Sequence, residues 1–207
     1  MNRNLSSTIL DYLENSHNVN HRYKSWNHCF AAFGNSTLNK TELSLNLGFY
    51  LASWGMYRGS SQLLQKNYLV HEGAVIIIEN YEKLRCGINN EVNEGNLDKL
   101  LLLINNLKMY YTSVNVTPTN TLISKILLGT LGCLPAFDRY FIEGVKSENF
   151  RFKSLNKKSL ENLFIFLSDN KEELLDIQEK ERINKGMFYP KMKLIDMYFW
   201  NHGYNTN

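Results

Sequence analysis

The 207-residue chain has few of the residues that mark common functional classes. It has three cysteines, Cys29, Cys86 and Cys133, an odd number at wide spacing. They form neither a zinc pattern nor a disulfide framework, so they read as reduced thiols of a cytosolic protein. The histidines His21, His28 and His71 miss zinc spacing, and no HExxH occurs. No phosphate-binding Walker loop, GxGxxG turn or serine-centred elbow is present, which argues against nucleotide cradles and serine hydrolase chemistry. No run approaches the roughly 18–20 apolar residues of a membrane span, and the first twenty residues lack the apolar centre of a signal peptide. No internal repeat is found. Neither metal nor cofactor is expected.

What the chain does have is core-forming material. Hydrophobic residues make up 43% and aromatics 13%, with 12 Tyr and 11 Phe. That is enough for one compact unit and excludes wholesale disorder. The net charge is only +3, so any basic surface must be local. Arg139, Lys146, Arg151, Lys153, Lys157 and Lys158 supply one concentration of it.

Helical periods run the length of the chain. They predict helices over 5–13, 22–33, 43–54, 60–65, 70–84, 97–111, 120–128, 136–145, 154–167, 171–184 and 191–200. The β-branched run in 70–84 is read as a buried helix, Asn120 or Thr121 as a helix cap, and Pro135 as the first turn of the helix after it. The expected class is all-α, a two-lobed helical domain with a cleft between lobes 1–117 and 118–207.

Two distant segments carry candidate chemistry. In 124–141, SKILLGTLGCLPAFDRYF, Lys125 stands seven residues before Gly132, and Gly129 and Gly132 interrupt a helical pattern. A glycine hairpin opening onto a helix can point backbone N–H groups at a phosphate. In 192–204, MKLIDMYFWNHGY, Asp196 sits in an apolar aromatic run. Charges in such surroundings are costly without a purpose. Each also has an ordinary reading: a snorkelling lysine, an aspartate that caps a helix, glycines that end one. A third segment, Trp54-Gly55-Met56-Tyr57-Arg58-Gly59, reads either as a finger that fills the gap left by an extruded base or as a tight turn with Tyr57 packed inside.

These segments resemble the helix-hairpin-helix DNA glycosylases related to oxoguanine glycosylase. Thr130-Leu131-Gly132-Cys133-Leu134 resembles the family hairpin Leu-Pro-Gly-Val-Gly, with Leu134 in place of its second glycine. Ile195-Asp196-Met197-Tyr198-Phe199-Trp200 resembles the family's Val-Asp-Val-His-Met-Trp at the catalytic aspartate. Asp196 follows Asp138 by 58 positions, far more than the family's connector, so the helices within 154–184 read as an insertion. The resemblance implies a helix-hairpin-helix element, double-stranded DNA as partner, and a monomer that excises a damaged or modified base, in repair or in defence against phage. It makes Asp196 the carboxylate that stabilises positive charge on the deoxyribose. Lys125 is then the nucleophile, or Asp196 activates water instead. Gly129, Thr130, Gly132, Arg58 and Arg139 would contact DNA, and Trp54, Tyr57, Phe137 or Trp200 would stack the extruded base. Two rivals stand beside it: a non-catalytic DNA-binding module and a helical protein-interaction partner.

Overall fold

The computed structural model describes residues 4–15 and 20–205. Within them the chain is all-α: α1 (Leu5–Asn15), α2 (Lys24–Ala32), α3 (Lys40–Ser53), α4 (Glu72–Glu79), α5 (Leu97–Ser113), α6 (Asn120–Thr130), α7 (Arg139–Ser147), α8 (Lys157–Asp169), α9 (Lys171–Lys185) and α10 (Lys191–Asn205). No β-strand occurs among the described residues, where Gly87 and Asn90 form an isolated antiparallel bridge.

Helix starts follow local chemistry. Asn39 and Glu42 form a reciprocal capping box on α3. Thr119, one residue before the expected position, caps α6 by accepting from the Leu122 N–H at 3.1 Å. The predicted helix over 136–145 begins later, at Arg139, because the Asp138 side chain accepts from the Phe141 N–H and sets the N-cap there. Pro135 therefore lies in a buried non-helical connection, 131–138, and not in a first helical turn. Predicted helix 70–84 narrows to α4, flanked by 3-10 turns Tyr68–His71 and Glu82–Leu84. It is amphipathic and not wholly buried, since Ile76 is exposed on its outer side. Segment 60–65 holds only two short 3-10 turns, Gly59–Ser61 and Leu63–Gln65.

One hydrophobic cluster runs from Leu5 to Trp200 and joins residues of all ten helices. The tightest pairing is α7 against α10. A Cβ at Gly144 would collide with the Phe199 carbonyl, and one at Gly203 with the Tyr140 carbonyl, so these glycines let the two backbones touch. α10 also packs on α1, while α2 and α3 pack on α6. These contacts bring α10, α6 and the 131–138 connection together around one point.

Candidate functional site

At that point lies a nearly filled cavity of about 10 Å³. It is lined by Tyr50, Trp54, Lys125, Leu128, Ala136, Asp138, Lys193, Asp196 and Trp200. Room of that size holds at most about one water molecule. Lys125 and Asp196, 71 positions apart in the chain, share its wall with Trp54 and Trp200.

The site contains two ion pairs. Lys125, on α6, donates from Nζ to Asp138 Oδ2 at 2.8 Å, with side chains 4% and 13% exposed. Lys193, one turn before Asp196 on α10, donates from Nζ to Asp196 Oδ2 at 2.8 Å, with side chains 3% and 6% exposed. The other Asp196 oxygen accepts from the Ala136 backbone N–H at 2.9 Å. The Phe137 N–H is taken by Ser124 Oγ at 2.8 Å. Both aspartates thus also satisfy backbone: Asp196 that of the 131–138 connection, Asp138 that of the first turn of α7.

Aromatic faces surround the ammonium groups. Lys125 Nζ lies 4.8 Å from the centre of the Trp54 ring. Lys193 Nζ lies 5.3 Å from Tyr12 and 5.4 Å from Trp26. Such faces attract a desolvated cation and offset part of the cost of burying it. Burial, and then the Asp196 charge, hold the phenols of Tyr12 and Tyr50 well above their ordinary pKa, so both remain neutral. The Trp54 indole Nε1–H is buried without an acceptor, an open donor in the cavity wall.

The other expected site residues lie elsewhere. Gly129, Thr130 and Gly132 are buried. Gly129 faces Tyr50, and a Cβ at Gly132 would come within 2.7 Å of Pro190 and 2.9 Å of Phe30. Gly132 adopts φ +64°, which favours glycine. Its N–H bonds to the Leu127 carbonyl at 2.9 Å, and the Leu131 carbonyl accepts from the Cys86 N–H at 2.8 Å. The Arg85 guanidinium bonds to the Thr130 and Phe30 carbonyls. These hairpin backbone groups are therefore engaged inside the protein. Phe137 is a core residue packed on Phe141. Tyr57 is half-buried and bonds to His71 Nε2 at 2.9 Å. Arg58 and Arg139 are exposed, and Arg139 pairs with Glu143 at 2.9 Å.

Sequence reading missed Lys193, Asp138 and the tyrosines Tyr12, Tyr23 and Tyr50. Lys193 was legible as the i,i+3 partner of Asp196. Asp138 carried the signature of a helix cap, and nothing local reveals that it also meets Lys125. Among the described residues no group of three or more His, Cys, Asp or Glu side chains is placed to hold a metal ion. No helix there is long and apolar enough to cross a membrane. The three cysteines are free and buried, and burial pushes their thiols above the ordinary range.

Comparison with known proteins finds no family model, no curated protein and no solved structure that matches the chain. The functional reading therefore rests on the geometry of these residues.

Proposed function

We propose that the chain is a DNA glycosylase that cleaves the N-glycosidic bond of a damaged or modified base. The observation that carries this reading is the meeting of Lys125, Asp196, Trp54 and Trp200 on one cavity wall. An amine nucleophile, a fixed carboxylate and stacking rings are the groups that base excision from an extruded nucleotide requires.

In this reading the Lys125 ammonium gives its proton to Asp138, the carboxylate it already contacts. The neutral amine then attacks C1′ of the deoxyribose as the C1′–N bond breaks. The departing base takes the electron pair and the proton held by Asp138. Opening of the sugar C1′–O4′ bond, with one proton moving from nitrogen to O4′, leaves a protonated imine between Lys125 and C1′. Asp196 is oriented by Lys193 Nζ and the Ala136 N–H. Its charge stabilises the positive charge that grows on the sugar. Attack by water in place of Lys125 would leave an intact abasic site, with Lys125 and Asp138 binding the sugar. The DNA backbone would run over the exposed Arg58 and Arg139, in contacts that position the strand without reading its sequence.

The test is incubation with phage DNAs of differing base modification, followed by detection of alkali-labile sites. Asp196→Asn is expected to lower base release by roughly 10²–10³-fold, the usual cost of losing a group that stabilises developing charge. Borohydride should trap a covalent complex with the parent chain and none with Lys125→Gln. Base release unchanged in Asp196→Asn would overturn the reading.

A second reading, a helical interaction partner, draws on Leu45 and Phe49. They lie one turn apart on α3 and are 52% and 61% exposed. It predicts no DNA binding at low salt.

A further inference from the structure

The cavity is too small for a sugar, but two of its lining rings, Trp54 and Trp200, also contact a ring that is not part of its wall. Tyr23 precedes α2 and is only half-buried. Its ring lies flat between two others: 4.6 Å from Tyr12 at an interplanar angle of 5°, and 5.4 Å from Trp54 at 9°. Trp200 stands edge-on to all three, at 87° to Tyr12, 82° to Tyr23 and 89° to Trp54. Parallel faces above and below with a perpendicular floor form a slot one ring thick. The Arg22 guanidinium lies 5.1 Å from the centre of Trp54 and 5.8 Å from that of Tyr23, a cation at the rim.

The two walls and the floor are held differently from the ring between them. Tyr12 and Trp200 are core side chains on α1 and α10, and Trp54 ends α3. Tyr23 comes from the turn before α2, so a change in its side-chain torsions removes its ring without unpacking a helix. Lys125 Nζ and Lys193 Nζ lie 4.8 and 5.9 Å from the centre of the Trp54 ring that forms one wall of the slot.

We propose that the slot between Tyr12 and Trp54 is a binding site for one planar heteroaromatic ring, a nucleobase, and that Tyr23 occupies it in the unliganded chain. Tyr23 thus acts as an internal competitor: a ligand ring must displace it to stack on Tyr12 and Trp54. The choice of a nucleobase as the ring rests on the glycosylase reading; the slot itself rests on the stacking geometry.

Ligand-observed NMR with free 2′-deoxyguanosine tests this, with 2-deoxyribose as the ringless control. Tyr23→Ala is expected to bind the nucleoside about tenfold or more tightly than the parent chain, in line with the usual contribution of stacking per base. Tyr23→Phe should behave as the parent does, and 2-deoxyribose should bind neither. Adding Trp54→Leu to Tyr23→Ala should abolish the gain. If Tyr23→Ala fails to fold, 3-fluorotyrosine at position 23 of the parent chain gives the same answer, because excess nucleoside should shift its resonance towards that of an exposed ring. Equal binding by the Ala and Phe variants, or an unmoved fluorine resonance, overturns the slot. Uptake by Tyr23→Ala without base release from any DNA leaves the slot standing and removes the glycosylase reading; base release without nucleoside uptake does the reverse.

Discussion

The protein buries polar groups in two regions, and it does so in opposite ways. In the first, His71 sits between two tyrosines: Nε2 meets Tyr57 Oη at 2.9 Å and Nδ1 meets Tyr111 Oη at 2.8 Å. Burial lowers the His71 pKa to about 4. The chain of partners is neutral at pH 7, and both ring nitrogens are engaged. It ties the turn after α3 to the start of α4 and to α5. In the second region, Lys125 pairs with the partly exposed Asp138 and buried Lys193 with buried Asp196, each at 2.8 Å, beside a small void and an indole N–H without an acceptor. A neutral, fully bonded network suffices to hold helices together. Charged pairs are a poor means to that end, because desolvation offsets most of their attraction. The contrast fits a structural role for the first region, and the glycosylase reading assigns its chemistry to the second.

The sharpest way to break that comparison is to remove one charge from the second region. Lys193→Met leaves Asp196 buried with only the Ala136 N–H and should cost about 3–5 kcal/mol in urea unfolding. The double variant Lys193→Met with Asp196→Asn should recover most of that loss, because no charge is then left unpaired. Recovery of stability without recovery of base release would separate the pair's structural role from its catalytic one. A double variant as unstable as the single would show that these charges hold the fold.

The next largest effect belongs to the first region and depends on pH. The folded His71 pKa lies below the ordinary value of roughly 6.5, so the unfolded chain takes up the proton first. Stability from this residue is complete above about pH 6.5, falls as pH drops, and levels off below about pH 4. The shift corresponds to roughly 2–3 kcal/mol by pH 4.5. His71→Gln should flatten this part of the stability profile, which urea titrations at pH 7.5 and 4.5 would read. An unchanged profile would mean that His71 is not the titrating group.

The smallest effect is expected at the exposed surface. Arg139 is 70% exposed and pairs with Glu143 within one helix turn, a solvent-screened geometry that contributes little to stability. Arg139→Ala should leave the unfolding midpoint nearly unchanged. In the glycosylase reading it should lower the slope of DNA affinity against salt by about one. A loss of fold stability would show that Arg139 belongs to the framework of the fold.

Helix periodicity alone placed most of the long helices, because each amphipathic stripe is a local property of its own residues. It failed where a neighbour decided the outcome. Asp138, through its bond to the Phe141 N–H, delays α7 beyond Pro135, and α4 ends early between two 3-10 turns. Lys125 and Asp196 stood out in sequence as charges in apolar surroundings, and they do line one cavity. The turn at Gly132 was legible, but Gly129, expected to interrupt the helix as well, lies inside α6, and the burial of the turn was not legible. Whether a bend faces solvent depends on Arg85, Cys86, Phe30 and Pro190, which reach it from other parts of the chain.

Residue order by itself determined the helical class, a glycine break at Gly132, and the two rare charges within apolar helices, since each follows from local sterics and solvation. Only the tertiary structure decided which partners those charges take, that Tyr23 lies between Tyr12 and Trp54, and that the hairpin turns inward. Pairing and stacking depend on side chains brought within a few ångströms by helices distant in sequence, and no local pattern encodes that proximity.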